Sequence, residues 1–371
     1  MYDHEKKIPP AILVGLNLPH SDYSFESSLE ELAGLVEALG MEPVLTISQS
    51  RSRPESASYI GRGKLEELQR LCAELQPEVI VFNHELSGVQ LRNLEQALEL
   101  PVMDRTTLIL EIFRQRAVSH EGRLQVELAR LEYSLPRLTG QGSALSRIGG
   151  GGLATRGAGE QKLELDRRYI RKRIKDIKVR LQQVAQVRAT QKKRRQRTGI
   201  ASISLVGYTN AGKSTLFNRL CQRWHTSGSA PVEADDRLFQ TLDTTTRRIL
   251  LPSGKEALLS DSVGFIQDLP HHLVAAFRAT LEEVVEADLL LQVVDVSDPN
   301  YFDKIRLVET LLEELGAEED KIIKVYNKID RLSDRSDLEW TVAVSALEGT
   351  GMMELAERID RRLDGLNREF F

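Results

Sequence analysis

Residues 207–215 read GYTNAGKST, and the spacing Gly207-x4-Gly212-Lys213-Ser214 is that of a phosphate cradle. Glycines allow backbone N–H groups to close around phosphate oxygens at the start of a helix. The Lys213 ammonium can meet the terminal phosphates, and the Ser214 hydroxyl can ligate Mg2+. The apolar run ASISLVG (201–207) precedes the pattern and a helical pattern follows it, which is the context such a loop requires. A chance glycine turn between strand and helix is the competing reading, and that context disfavours it. Gly207, Tyr208, Thr209, Asn210, Ala211, Gly212, Lys213, Ser214 and Thr215 are therefore assigned to phosphate binding.

A second stretch, 327-NKID-330, follows the apolar run that ends at Tyr326. The Asp330 carboxylate can accept from both N1–H and the 2-amino group of guanine. Adenine offers neither donor, so it would leave the carboxylate unpaired. Asn327, Lys328, Ile329 and Asp330 are read as the base reader, with Ser345, Ala346 and Leu347 closing the pocket through backbone amides. In 261-DSVG-264, Asp261 is placed to hold Mg2+ through water and the Gly264 N–H to meet a γ phosphate, with Ser262 and Val263 between them. Phe239, Gln240, Thr241, Leu242 and Asp243 form a polar loop at the nucleotide, and Thr241 is chosen as the residue that ligates Mg2+ and senses the γ phosphate. Thr244, Thr245 and Thr246 stay open as alternatives, because adjacent threonines also suit a strand or a solvated stretch. Position 265, directly after the DSVG glycine, holds Phe265, which cannot orient a water. The catalytic group is thus unassigned, Gln267 is a candidate, and intrinsic hydrolysis is expected to be slow.

These residues need an α/β scaffold. From residue 199 to 371, strand-like runs at 201–207, 257–264, 289–297, 321–330 and 341–347 alternate with helical stretches, which predicts a doubly wound sheet with ligands at the strands' carboxyl ends. Residues 1–110 show the same alternation, from AILVGL (11–16) to EVIVFN (78–83), and predict a small α/β domain with a mostly parallel sheet. Between them, residues 111–198 predict a helical hairpin. Its first helix carries Leu124, Leu128 and Leu131. Its tip is a glycine-rich flexible loop over 140–159, and its second helix runs from Glu160 to about Arg197. Leu163, Tyr169, Ile170, Ile174, Ile177 and Leu181 should form that helix's apolar stripe.

Charge is segregated along the 371 residues. The chain carries a net −5, yet residues 167–197 hold fourteen Lys/Arg against the single acid Asp176, a net +13 that leaves −18 elsewhere. Such a basic helix points to a polyanion, and Arg147, Arg156, Lys192, Lys193, Arg194 and Arg195 are the candidate RNA contacts. The bland alternative is a solvated helix packed on its stripe. Cys72 and Cys221 lack partner spacing for zinc or a disulfide framework. The apolar runs are too short to span a membrane and the N-terminus lacks a signal-peptide core, so a cytoplasmic protein without membrane insertion is expected.

The order of these motifs resembles Ras-like GTPases of translation-factor type. FQTLDTTTR (239–247), DSVGFIQDLPHHLVAAFRATLEE (261–283), YIGRGKLEEL (59–68), EGRLQVELARLEYSLPRL (121–138) and GGGLATRGAGEQKLELDRR (150–168) look like the HflX family over almost the entire chain. The resemblance implies an N-terminal α/β domain joined by a helical hairpin to a Ras-like P-loop GTPase domain. It also implies GTP/GDP and Mg2+ as ligands, binding to the large ribosomal subunit and its rRNA, hydrolysis stimulated by ribosomes, and splitting of stalled or hibernating ribosomes under stress. The free protein is expected to be a monomer. Some family members carry a further C-terminal domain, whereas only Asp364 to Phe371 are expected after the last helix here. Two rivals are an RNA-remodelling ATPase with a second nucleotide site at 61-GRGK-64, and a GTP sensor with a protein partner and no RNA contact. GRGK lacks a phosphate-cradle pattern and reads better as the turn opening the Lys64 helix.

Overall fold

The computed structural model describes residues 8–19, 24–138, 153–196, 199–224, 238–239, 244–267, 281, 284–332 and 342–368. Contacts among them divide the chain into two units. Residues up to Gln115 group with Arg123–Gln183, and Arg116–Gly122 group with the residues from Val184 onward.

In the first unit the alternation of apolar runs and amphipathic stretches becomes β1 (Pro10–Asn17), α1 (Phe25–Ala38), β2 (Glu42–Ser50), α2 (Arg62–Leu75), β3 (Val79–Phe82) and α3 (Gly88–Leu98). The sheet order is β2-β1-β3-β4, with every pair parallel. β4 (Val102–Asp104) is a strand that hydrophobic patterning misses, since three residues show no period. Ser24 caps α1, and Ser87 with Gln90 forms a reciprocal capping box on α3. α2 opens at Arg62 with Gly61 as its cap residue, so GRGK is a helix start. Strand and helix residues Ile12, Val14, Ile80, Phe82, Leu68 and Leu94 form the core on one side of this sheet.

After α4 (Arg105–Arg116), the hairpin helices are α5 (His120–Arg137) and α6 (Leu153–Gln196). Two expectations change here. The glycine-rich stretch is helical from Leu153, seven residues before the expected Glu160, and residues 140–152 lie outside the described set. Tyr169 is 70% exposed and does not belong to the apolar stripe. The packed set is Ile174, Ile177 and Leu181 of α6 against Leu124, Leu128 and Leu131 of α5, with Ile177 fully buried. At about 100° per residue Tyr169 lies about 80° round the helix from Ile177, on the side away from Ile170, Ile174 and Leu181, so its spacing sets it off the stripe. Arg173 forks onto both Glu127 oxygens at 2.7 and 2.9 Å, and Lys178 meets Glu132 at 2.8 Å.

The second unit contains β5 (Ala201–Gly207), α7 (Lys213–Trp224), β6 (Thr245–Leu250), β7 (Glu256–Asp261), β8 (Leu289–Asp295), α8 (Tyr301–Glu314), β9 (Ile322–Asn327) and α9 (Met352–Arg368). The order is β6-β7-β5-β8-β9, parallel except for the antiparallel pair β6–β7. β5 therefore sits at the switch point, with chain connections leaving to either side. Thr245 and Thr246 lie in β6, where the Thr246 hydroxyl meets that of Ser260 at 2.8 Å, so the strand reading holds for both threonines. The strand expected at 341–347 is reduced to two bonds flanking Ala343: Tyr326 N–H to the Val342 carbonyl at 2.9 Å and Val344 N–H to the Tyr326 carbonyl at 2.8 Å. α9 continues past Asp364 to Arg368, so the expected tail is mostly helix. Among the described residues no helix is long and apolar enough to cross a membrane.

The hairpin packing yields a paired test. Ile177→Ala removes a fully buried side chain and should cost about 2–5 kcal/mol, whereas Tyr169→Ala should stay within about 0.5 kcal/mol. Denaturant unfolding of both variants checks this, and equal losses would place Tyr169 back on the stripe.

Candidate nucleotide-binding site

The chemistry-bearing segments converge at the carboxyl ends of β5, β7, β8 and β9. β5 ends at Gly207 and α7 starts at Lys213, so the loop between them turns around the helix N-terminus, where backbone N–H groups lack helical partners. Gly212 adopts φ +90°, and a Cβ there would lie 2.3 Å from Asn327 Nδ2. No other residue type fits that position.

Lys213 is 6% exposed, and its ammonium donates to the carbonyls of Gly207 at 3.1 Å and Tyr208 at 2.7 Å. Burial pushes its pKa down to about 8; nearby Asp261 opposes the shift and Lys328 adds to it. Beside it, the Ser214 hydroxyl donates to Asp261 Oδ2 at 2.7 Å, and Asp261 is fully buried at the end of β7. A hydroxyl and a carboxylate side by side are hard oxygen donors, which fit Mg2+. The Ser262 hydroxyl is turned inward to the Leu205 carbonyl at 2.6 Å, and Val263 is buried. Gly264 comes so close to the loop that a Cβ would lie 2.8 Å from both Lys213 Nζ and Thr209 Cα.

The segment after Gly264 is stitched to the phosphate loop. Thr209 N–H donates to the Phe265 carbonyl at 2.7 Å, Phe265 N–H to the Gly207 carbonyl at 3.1 Å, and Gln267 N–H to the Tyr208 hydroxyl at 3.0 Å. Gln267 is 3% exposed, against the ordinary expectation of a solvated glutamine. Its burial follows from the neighbouring Tyr208, a tertiary contact that a linear reading does not reveal.

On the other side, the Asn327 amide donates to the Ala211 carbonyl at 2.9 Å and accepts from Ala346 N–H at 3.0 Å. Lys328, at φ +65°, places its ammonium 2.7 Å from Asp295. The Ser345 hydroxyl donates to Asp330 Oδ1 at 2.5 Å, and Ile329 is buried beneath the turn. Leu347 is 67% exposed at the rim. Asp295 and Arg219, which donates to the carbonyls of Ala346 and Leu347, were missed in the sequence. Asp295 offered one signal, an acid closing the apolar run of β8.

The structure thus brings together 207–215, 261–264, 327–330 and 345–347. Phe239 is described and buried, whereas Gln240, Thr241, Leu242, Asp243 and Arg147 lie outside the described residues. Arg156 and Lys192, Lys193, Arg194 and Arg195 belong to α6 by backbone, with side chains outside the described set.

Known proteins place this arrangement. The family described as GTP-binding GTPase N-terminal matches residues 26–114, GTP-binding GTPase Middle Region matches 116–195, and 50S ribosome-binding GTPase matches 202–328. GTPase HflX of Caldanaerobacter subterraneus subsp. tengcongensis is 49% identical, over 95% of this chain and 80% of its own. GTPase HflX of Escherichia coli is 43% identical over 98% and 85%. The chain belongs to the HflX family. Its reaction is GTP hydrolysis. The fold of this chain is also that of a GTP-binding protein from Sulfolobus solfataricus, solved with GDP. The two share 22% identity and a TM-score of 0.51 over 96% of this chain and 99% of the other.

Two substitutions test the assignments. Lys213→Ala should weaken GTP binding by about 100-fold, since a buried charge-assisted contact is lost, while circular dichroism stays unchanged. Undiminished affinity by calorimetry would remove Lys213 from the site. In Asp330→Asn, Oδ1 keeps the Ser345 hydroxyl and Nδ2 faces the ligand, so preference should shift from guanine toward xanthine, whose 2-carbonyl accepts. An unchanged GTP/XTP ratio would exclude Asp330 as the base reader.

Proposed function

We propose that this chain is a GTP-driven factor that engages the large ribosomal subunit through its helical hairpin and splits stalled or hibernating ribosomes under stress. The observation that carries the reading is the charge on α6. Among the described residues four of its cations pair with acids: Arg173, Lys178 and Arg188 with Glu127, Glu132 and Glu121, and Arg171 with Glu164 of the same helix at 3.5 Å. Arg168, Lys172, Lys175 and Arg180 remain exposed on the same helix. A row of such cations suits the phosphates of rRNA. The match of residues 202–328 to a 50S ribosome-binding GTPase family supports the same partner.

On this reading 111–198 is the arm and 199–371 the GTPase domain. The phosphate loop, with Lys213, binds the GTP polyphosphate, and Asp330 with 345–347 selects guanine. Ser214 and Thr241 would hold Mg2+ directly and Asp261 through water; when bound, the ion neutralises charge between the β and γ phosphates. Phe265 cannot align a water, so hydrolysis without the ribosome is slow, and contact with the subunit orders the site. Gln267, whose N–H is held by the Tyr208 hydroxyl beside the phosphate loop, is the candidate that assists. The protein acts in the cytoplasm, as a monomer when free.

Co-sedimentation with 50S-type subunits in GTP, GDP or ATP tests the partner. Binding should require GTP and weaken steeply between 50 and 200 mM salt, by about 10³-fold or more if six phosphates are engaged. Salt-independent binding, or none, would favour the sensor with a protein partner. The tip is tested by replacing residues 142–152 with a short Gly/Ser turn, which spares α6. Ribosome-stimulated hydrolysis and splitting should be lost while intrinsic GTP affinity is kept, and retention of both would make the tip a passive connector.

A further inference from the structure

Arg219 lies on α7, six residues after Lys213 and about 9 Å along the helix axis. Its side chain reaches the opposite end of the nucleotide site. Nε donates to the Ala346 carbonyl at 2.9 Å and Nη2 donates to the Leu347 carbonyl. One planar guanidinium thus grips two successive peptide oxygens, a fork that a flexible point charge cannot reproduce.

We propose that Arg219 is a positioning residue for guanine recognition: it sets the 345–347 loop so that a backbone N–H is aimed at the 6-oxo group, and it ties that loop to the helix that carries the phosphate contacts. The proposal rests on the base-pocket reading given above. In a trans peptide the C=O and the following N–H point in opposite directions. Anchoring the Ala346 carbonyl on α7 therefore turns the Leu347 N–H away from α7. Anchoring the Leu347 carbonyl likewise turns the Glu348 N–H away, and that group donates to the Ser345 hydroxyl at 3.1 Å. The same hydroxyl donates to Asp330, so the loop's turn and the base-reading carboxylate share one atom. Ala346 N–H is already engaged by Asn327. Leu347 N–H is then the loop donor left to meet the 6-oxo group, next to an exposed Leu347 side chain at an open rim.

A merely structural strap and a specificity device predict different nucleotide chemistry. GDP carries a 6-oxo group and 6-thioguanosine diphosphate a sulfur that accepts only weakly, while both keep N1–H and the 2-amino group for Asp330. In the same chain, Arg219→Ala should speed GDP dissociation by about 10-fold and leave 6-thioguanosine diphosphate nearly unaffected, so that the preference between them shrinks. Arg219→Lys, reaching one carbonyl, should fall between. Equal weakening of both nucleotides, or no change in either, would overturn the proposal; if Arg219→Ala does not fold, the Arg219→Lys ratio decides on the same terms. The base-pocket reading fails separately, if Asp330→Asn shows no shift toward xanthine.

Discussion

The second unit is organised around a buried ammonium. Lys213 is almost without solvent, and removing an ammonium from water costs several kcal/mol unless its donors are met. The carbonyls of Gly207 and Tyr208 meet two of them, so the chain must wrap around the side chain that leaves the first turn of α7. That wrapping requires a glycine at 212 and another at 264, where no Cβ fits. The result is a loop closed tightly around a desolvated cation. Burial lowers the pKa of Lys213, and nearby Asp261 opposes that shift.

The base side hangs on the same loop. Asn327 binds the Ala211 carbonyl with its amide nitrogen and the Ala346 N–H with its amide oxygen, so one side chain joins phosphate loop, β9 and 345–347. Arg219 makes a second tie between α7 and that loop. Phe265 and Gln267 make a third, from β7's end back to Gly207, Tyr208 and Thr209. Buried hydrogen bonds linked in this way polarise and stiffen one another. The segments 207–215, 261–267, 327–330 and 345–347 are therefore tied together by shared hydrogen bonds.

The first unit has its own anchor in Asp104, at the end of β4. Its carboxylate caps α4 through Thr107 N–H at 2.9 Å, accepts from Leu86 N–H at 3.1 Å, and accepts from the Tyr133 hydroxyl of α5. Burial and the Asp104 charge raise the Tyr133 pKa, so the phenol stays a donor. Arg137 stacks on the Tyr133 ring with its guanidinium carbon 3.3 Å from the centroid and bridges Glu85 at 2.8 Å. The foot of α5 is thereby pinned to the parallel sheet. Ion pairs and the Leu124–Leu128–Ile177 cluster hold α6 along it, leaving its remaining cations for solvent or a polyanion.

Alternating runs, caps and contiguous motifs were enough for the α/β class, the hairpin, the family and most residues of the candidate site. Each of those signals is local: GYTNAGKST carries its strand, turn and helix within a few positions, and NKID follows its own strand. Tertiary structure decided what depends on distant partners. The antiparallel β6 and the short β4 come from strand pairing that overrules local pattern. Gln267 is buried by Tyr208, and Asn327 and Arg219 find partners 116 and 127 positions away. Sequence spacing places a side chain on an element, but which atoms satisfy its donors is settled only when separate elements meet, since an unpaired buried donor is what folding cannot tolerate.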